Sequence, residues 1–328
     1  MTGRPLPAVD EPAPGIWSVP AAIPGSPLGY SLMYLVAHPD GAALVDAGLD
    51  NPQTRAALAE ALRRAGRREQ DITHVLLTHH HPDHTGLAET LRRDAGAVVA
   101  IGAGDADPLR DPLGRFLDLF TDELIASGVP ADVLEAMLAE VRATAAATNT
   151  RGIEPDLLIE PGAPVALGSG SSTRRLETLP VPGHTAGHLA FVDRERGVAL
   201  CGDALLPSGL VQLDVLTTPE SDPLADLLRS LQALAELNVA LALPGHIGPF
   251  GDVATVAAGQ RARQLERRNA VARVLEAEPG LSAYEVCARL SPRPWEELSP
   301  VSRRYQTMEI AAVMRSLGRF PAQPARPT

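Results

Sequence analysis

The reading of this chain turns on one stretch, Thr78-His79-His80-His81-Pro82-Asp83-His84-Thr85-Gly86. It follows DITHVLL at 71–77, a near-continuous apolar run suited to a buried strand, and leads into a helical pattern at 85–94. A loop in that position sits at the C-terminal edge of a strand, where α/β sheets place their sites. His79, His81, Asp83 and His84 are four potential ligands within six residues. His79 and His81, two apart, can point the same way from an extended segment, whereas His80 between them points away. Asp83 and His84 turn with the loop toward a second position. Imidazole with carboxylate is the ligand mix that suits zinc, iron or manganese.

Three later sites repeat the pattern of a short turn at a strand's end. Pro182-Gly183-His184 follows LETLPV, Cys201-Gly202-Asp203 ends an apolar strand, and Pro244-Gly245-His246 ends VALAL. All these side chains can therefore converge on one rim of the fold. His188, close behind His184, fits a supporting place better than that of a ligand. Cys201, next to the strand end, reads as a small buried hydrophobe. His38 and His74 lie at a turn and a strand start and are expected to be exposed.

Working outward, residues 15–49 hold short strands, with a Pro39-Asp40-Gly41 turn between two apolar runs as a hairpin signal. A helix is expected at 51–65. Residues 105–150 differ: two helical stretches, 113–127 and 131–147, are separated by Gly128-Val129-Pro130. Phe116, Phe120, Leu124 and Met137 recur there at helical spacing. This insert interrupts the motif-bearing region and is expected either to lie over the site as an apolar lid formed by those four residues, or to pack on the body of the fold. Ser221-Asp222-Pro223 starts another helix with a leucine stripe. After Gly251 only helices are expected, at 254–277, 281–290 and 300–317, followed by a Pro-rich tail.

The ordered set of motifs resembles the metallo-β-lactamase superfamily, whose signature T-H-x-H-x-D-H is followed by separate His, Asp and His ligands. The resemblance covers about residues 15–251. It implies an α/β fold, an αββα sandwich of two mixed sheets with helices outside. It also implies two divalent metal ions, zinc being expected and iron or manganese alternatives. His79, His81 and His184 would hold one ion and Asp83, His84 and His246 the other, with Asp203 bridging. Asp46, in LVDAGLD at 44–50, matches the family's strand-end Asp-x-Gly and would support the ligands from behind. The division expected is a flexible N-terminus at 1–14, a catalytic domain at 15–251 with its insert, and a small helical C-terminal domain at 252–328. The tail resembles the winged-helix-like domain of the branch that includes acyl-carrier-protein thioesterases and an endoribonuclease.

Composition narrows the function. Hydrophobic residues make up 45% and charged ones 21%, an ordinary globular balance, and no apolar run approaches a membrane span. The two cysteines make no disulfide framework, and the N-terminus lacks a signal-peptide core, so a cytoplasmic location is expected. The chain contains no lysine, so no step can use one. From Asp252 onward 12 arginines face 8 acidic residues; that tail carries +4, leaving −15 on the first 251 residues against a total of −11. An acidic main domain disfavours a nucleic-acid track.

The expected activity is hydrolysis of an ester or thioester, with lactone a close variant, by a metal-bridging hydroxide. Asp83 and Asp203 are the expected catalytic carboxylates, Asp83 orienting the nucleophile and passing a proton to the leaving group. The substrate expected is a small-molecule or carrier-bound acyl compound, and the tail is read as a helical cap or a homodimer contact. Two alternatives share the fold: an endoribonuclease or phosphodiesterase, and a mononuclear-iron enzyme like the persulfide dioxygenases. True β-lactamases of the superfamily lack the bridging Asp, and the glutathione-recognising branch uses lysines that this chain does not have.

Overall fold

The computed structural model describes residues 5–26, 28–148, 150–170, 173–214 and 221–320. Strands β1 (Asp10–Ala13), β2 (Ile16–Ala22), β3 (Tyr30–His38), β4 (Gly41–Val45), β5 (Ile72–Leu77), β6 (Val98–Gly102) and β7 (Leu157–Ile159) form a seven-stranded sheet in that order. Strands β8 (Val165–Leu167), β9 (Arg174–Pro180), β10 (Leu189–Asp193), β11 (Val198–Gly202) and β12 (Leu241–Pro244) form a five-stranded sheet, ordered β12-β11-β10-β9-β8. The Pro39-Asp40-Gly41 hairpin is there, with β3 and β4 antiparallel and His38 opposite Gly41.

Helices α1 (Pro52–Arg64), α2 (Pro82–Thr85), α3 (Ala88–Ala95), α4 (Ala106–Arg110), α5 (Gly114–Ala126) and α6 (Ala131–Ala147) belong to the first half. The second half has α7 (Pro223–Ala235), α8 (Val253–Ala277), α9 (Ala283–Leu290) and α10 (Pro300–Ser316). Asn51 starts α1 because its side-chain oxygen accepts the N–H groups of Gln53 and Thr54, while Pro52 needs no acceptor.

Three apolar layers explain the stacking. Ile16, Tyr34, Val45, Leu76, Phe191, Leu200 and Leu243 are buried between the two sheets. Leu58 and Leu62 of α1, Leu91 of α3 and Leu87 just before it cover the outer face of the first sheet. Val192, Cys201, Leu227 and Leu231 form the outer layer of the second sheet under α7. Helices on both outsides of two sheets make an αββα sandwich, as expected.

One boundary differs from expectation. Residues 9–13 of the stretch expected to be flexible are bound to the fold: β1 pairs with β2, Val9 is buried, and Arg64 donates to the Val9 carbonyl. Pro-rich composition suggested a tail, but one buried valine and one strand-edge pairing suffice to bind it. The C-terminal helices are there as expected after Gly251, and they share their core with the second sheet. Val253, Val271, Val286, Trp295 and Ile310 lie in the same apolar cluster as Leu227 and Leu231. Among the described residues no strand follows β12, so a wing is absent there, and no helix is long and apolar enough to cross a membrane.

Candidate metal centre

Strands β4, β5 and β6 run parallel, as do β11 and β12, and β9 has the direction of β11 because each is antiparallel to β10. The C-terminal ends of β4, β5, β9, β11 and β12 therefore meet on one rim. They carry, in order, Asp46, the His79–His84 loop, His184, Asp203 and His246.

Two triads assemble there. His79, His81 and His184 bring ring nitrogens together: Nδ1 of His81 lies 3.0 Å from Nε2 of His79 and 3.0 Å from Nε2 of His184. Nitrogens around one tetrahedral zinc ion, at about 2.0–2.1 Å from it, would stand ~3.3 Å apart, so this spacing fits a shared ion. Asp83, His84 and His246 form the other triad, with His246 Nε2 at 3.4 Å and His84 Nε2 at 3.7 Å from Asp83 Oδ2.

Asp203 lies between them. Its Oδ2 is 3.6 Å from His184 Nε2 and 3.3 Å from His246 Nε2, and its Oδ1 is 3.7 Å from His84 Nε2. His84 Nε2 and Asp203 Oδ1 are buried without a hydrogen-bond partner, which is expected of atoms that serve a cation. The turn allows this closeness: a Cβ built on Gly245 would fall 2.3 Å from Asp203 Oδ1 and 2.6 Å from His84 Cε1.

The electrostatics divide the triads. Burial and the surrounding imidazoles push His79 and His81 well below the ordinary histidine range and also lower His184. These three are neutral lone-pair donors, the form a metal requires. Burial pulls the same way on His84 and His246, but carboxylates outweigh it. Asp83, Asp203 and Asp46 raise His84 to about 9, and Asp203 with Asp83 raises His246 to about 12. Burial would raise Asp83 and Asp203, yet the histidines hold both well below the carboxylate range. The second triad is thus strongly cation-attracting.

The rings of His84, His184 and His246 are held from behind. Asp46 Oδ2 faces His84 Nδ1 at 2.9 Å and accepts the Thr78 hydroxyl, while Oδ1 accepts the Thr78 N–H. Asp46 reaches this position with φ of 59°, a left-handed conformation that Asp tolerates. His184 Nδ1 meets the Gln212 carbonyl and His246 Nδ1 the Tyr30 carbonyl, both at 3.0 Å. A carbonyl can only accept, so both Nδ1 atoms carry the hydrogen and both Nε2 atoms face the centre. His188 also supports: its Nε2 accepts the Asp203 N–H at 3.2 Å, its ring stacks on His79 at 4.8 Å, and burial drops it to about 3. Cys201 is buried in the outer core, as expected of a small hydrophobe.

Other expectations are corrected. Phe120, Leu124 and Met137 are not lid surface. They are buried with Val129, Val141 and Met308, so the insert's apolar stripe is covered by α10 rather than offered to a substrate. The side chain of Phe116 lies outside the described residues. His38 is buried and hydrogen-bonded to Thr73, and His74 is half-buried beside the same hydroxyl. His80 does avoid both triads, but it is buried against Asp105, a residue the sequence reading passed over. Asp105 also accepts from the His80 N–H, the Thr185 hydroxyl and the Gly187 N–H.

The metallo-beta-lactamase superfamily model matches residues 26–246. The probable metallo-hydrolase YqjP of Bacillus subtilis is 30% identical over 282 residues, covering 82% of this chain and 83% of its own. A hydroxyacylglutathione hydrolase of Acidiphilium cryptum is 32% identical over 247 residues, covering 75% of this chain and 74% of its own. Among solved structures, a metallo-beta-lactamase family protein of Thermus thermophilus shares 32% identity at a TM-score of 0.75, over 93% of both chains. A beta-lactamase domain protein from Burkholderia ambifaria, at 24% identity and a TM-score of 0.70 over 95% of this chain and 90% of its own, shares the fold.

Proposed function

The chain belongs to the metallo-β-lactamase superfamily, and from that premise we propose that it is a dinuclear zinc hydrolase cleaving an ester or thioester bond. The observation that carries the two-ion reading is Asp203 Oδ2, standing within 3.6 Å of a ligand nitrogen from each triad. Relatives named for hydroxyacylglutathione, an acyl thioester, support the choice of bond.

A bound pair of divalent ions would supply a water-derived nucleophile at neutral pH and polarise the scissile carbonyl. The protein's own part is positioning and proton handling. His79, His81 and His184 would hold one ion as neutral imidazoles. Asp83, His84 and His246 would hold the other, with Asp203 facing both. Asp83 is the most exposed of these carboxylates, its side chain 24% accessible against 11% for Asp203. It can reach an entering substrate and pass a proton to the leaving group. No serine, cysteine or lysine nucleophile is required; Cys201 is buried and its thiol is pushed well up by that burial.

The test combines metal analysis with a substrate panel of thioester, ester, lactone and phosphodiester. Two zinc ions per chain, with turnover of thioester or ester abolished by chelation, is the expected result. Turnover confined to the phosphodiester would overturn the bond assignment. One iron per chain with oxygen consumption on a persulfide would overturn the two-ion reading.

A further inference from the structure

The buried face of α8 is Val253, Ala257, Gln260, Gln264 and Val271, and its two central members are glutamines of 0% exposure. A buried carboxamide without a full set of partners costs ~1–3 kcal/mol, and both Oε1 atoms lack a partner. Their value lies in the donors. Gln264 Nε2 donates to the Val211 carbonyl at 2.8 Å, and Gln260 Nε2 donates to the carbonyls of Leu206 at 2.8 Å and Gly209 at 3.2 Å. Carbonyls accept only, so the NH2 ends of both side chains are committed to this segment.

The segment so gripped leads from Asp203 to the back of His184. Gln212, next to Val211, presents the carbonyl that takes His184 Nδ1 at 3.0 Å. Two residues on, the Asp214 N–H donates to the Gly183 carbonyl at 2.7 Å, pinning the residue before His184. One chain of contacts thus runs from α8 through Val211 and Gln212 to a ring whose Nε2 faces His81 and Asp203.

We propose that Gln264, assisted by Gln260, is a positioning residue through which the C-terminal helices set metal affinity at the His79–His81–His184 triad. The inference rests on the reading of that triad as a metal site. Support from behind a ligand is commonly worth about 10–100-fold in metal affinity. An apolar side chain of equal size would fill the space but leave the segment, and with it the Gln212 carbonyl, free to drift from His184.

The experiment uses the full-length protein as Gln264→Met, Gln260→Met, His184→Ala and Met308→Ala, each loaded with zinc and titrated with a chelator. Thermal unfolding is measured alongside. Gln264→Met is expected to weaken one ion about tenfold or more and leave the other unchanged, with Gln260→Met showing a smaller effect in the same direction. Met308→Ala, in the core between α6 and α10, is expected to lower Tm without changing either affinity. If Gln264→Met fails to fold, Gln260→Met carries the test. Equal weakening of both ions, or full retention of both in the glutamine variants while His184→Ala loses one, would overturn the positioning role alone. Retention of both ions in His184→Ala would overturn the metal assignment and this inference with it.

Discussion

The hydroxyl of Thr185 donates to the carboxylate of Asp105 at 2.7 Å across 80 residues of chain. The same carboxylate accepts the N–H of His80 at 3.1 Å and that of Gly187 at 2.6 Å, so it ties the loop of His79 and His81 to the loop of His184. A Cβ on Gly187 would lie 2.2 Å from the Asp105 nitrogen, so the approach leaves no room for a side chain. Histidine and hydroxyl neighbours override burial and bring Asp105 to about 2, which keeps it an acceptor.

Asp105→Ala strands these donors in a buried place. A loss of ~2–4 kcal/mol in stability is expected, since each abandoned buried donor costs ~1–3 kcal/mol and the loops partly relax. Metal content should fall by about one ion, because the triad spans both loops. Denaturant unfolding and metal analysis of the purified variant check this, and unchanged stability would show that the loops hold without the staple.

Asp203→Ala should empty both sites and abolish turnover, since one carboxylate faces both triads. His80→Ala should retain both ions, because its ring faces Asp105, but should lose ~1–3 kcal/mol by truncating a buried hydrogen-bonded side chain. Metal stoichiometry separates the two variants. Similar stoichiometries in both would mean the alternation of side chains along residues 79–81 is misread.

The histidine–aspartate cluster was legible because its chemistry is local. A run of histidines and one aspartate after an apolar strand, and three Gly- or Pro-flanked His or Asp residues after others, announce where they converge. Asp46 was legible for the same reason, as a carboxylate at a strand end. The supports of His184 and His246 were not, because the acceptors are backbone carbonyls of Gln212 and Tyr30, which any side chain would carry. Asp105 was hidden in a stretch, Gly104-Asp105-Ala106-Asp107, that reads as an ordinary turn. The helix spans of the insert were foreseen closely, but not what covers them. Periodicity reveals that a helix has an apolar face, and only the tertiary fold reveals that Met308 shares one buried cluster with Phe120 and Met137.

That packing changes what Phe120→Ala should do. With Phe120 2% exposed in an internal core, the expected loss is ~3–5 kcal/mol of stability. The surviving folded fraction should show the same KM on a bulky and a small ester. A KM rise confined to the bulky ester would restore a substrate role for the insert.

The insert and α10 are also joined by charge: Arg315 Nη2 lies 2.6 Å and 2.8 Å from the two oxygens of Glu123, both side chains nearly buried. Arg315→Ala removes a bidentate cation from a buried carboxylate and should cost ~3–5 kcal/mol, whereas replacing the pair together by Met and Leu should cost much less. Unfolding of the single and double variants measures the difference, and equal losses would show that packing rather than charge is at stake.

Truncation after Gly251 is the sharpest trial of how the chain is divided. If the C-terminal helices were an appended unit, residues 1–251 would fold and keep both ions. Instead α8 to α10 cover Leu227, Leu231 and Leu234 in one continuous core, and Gln260 and Gln264 hold the segment behind His184. Their removal would expose an apolar face far beyond scattered surface residues, which drives association. The expected product is aggregated or, where soluble, short of at least one ion. Size-exclusion chromatography with metal analysis of the monomer fraction checks this. A monodisperse truncated protein carrying two ions would show that the tail caps the fold without organising its site.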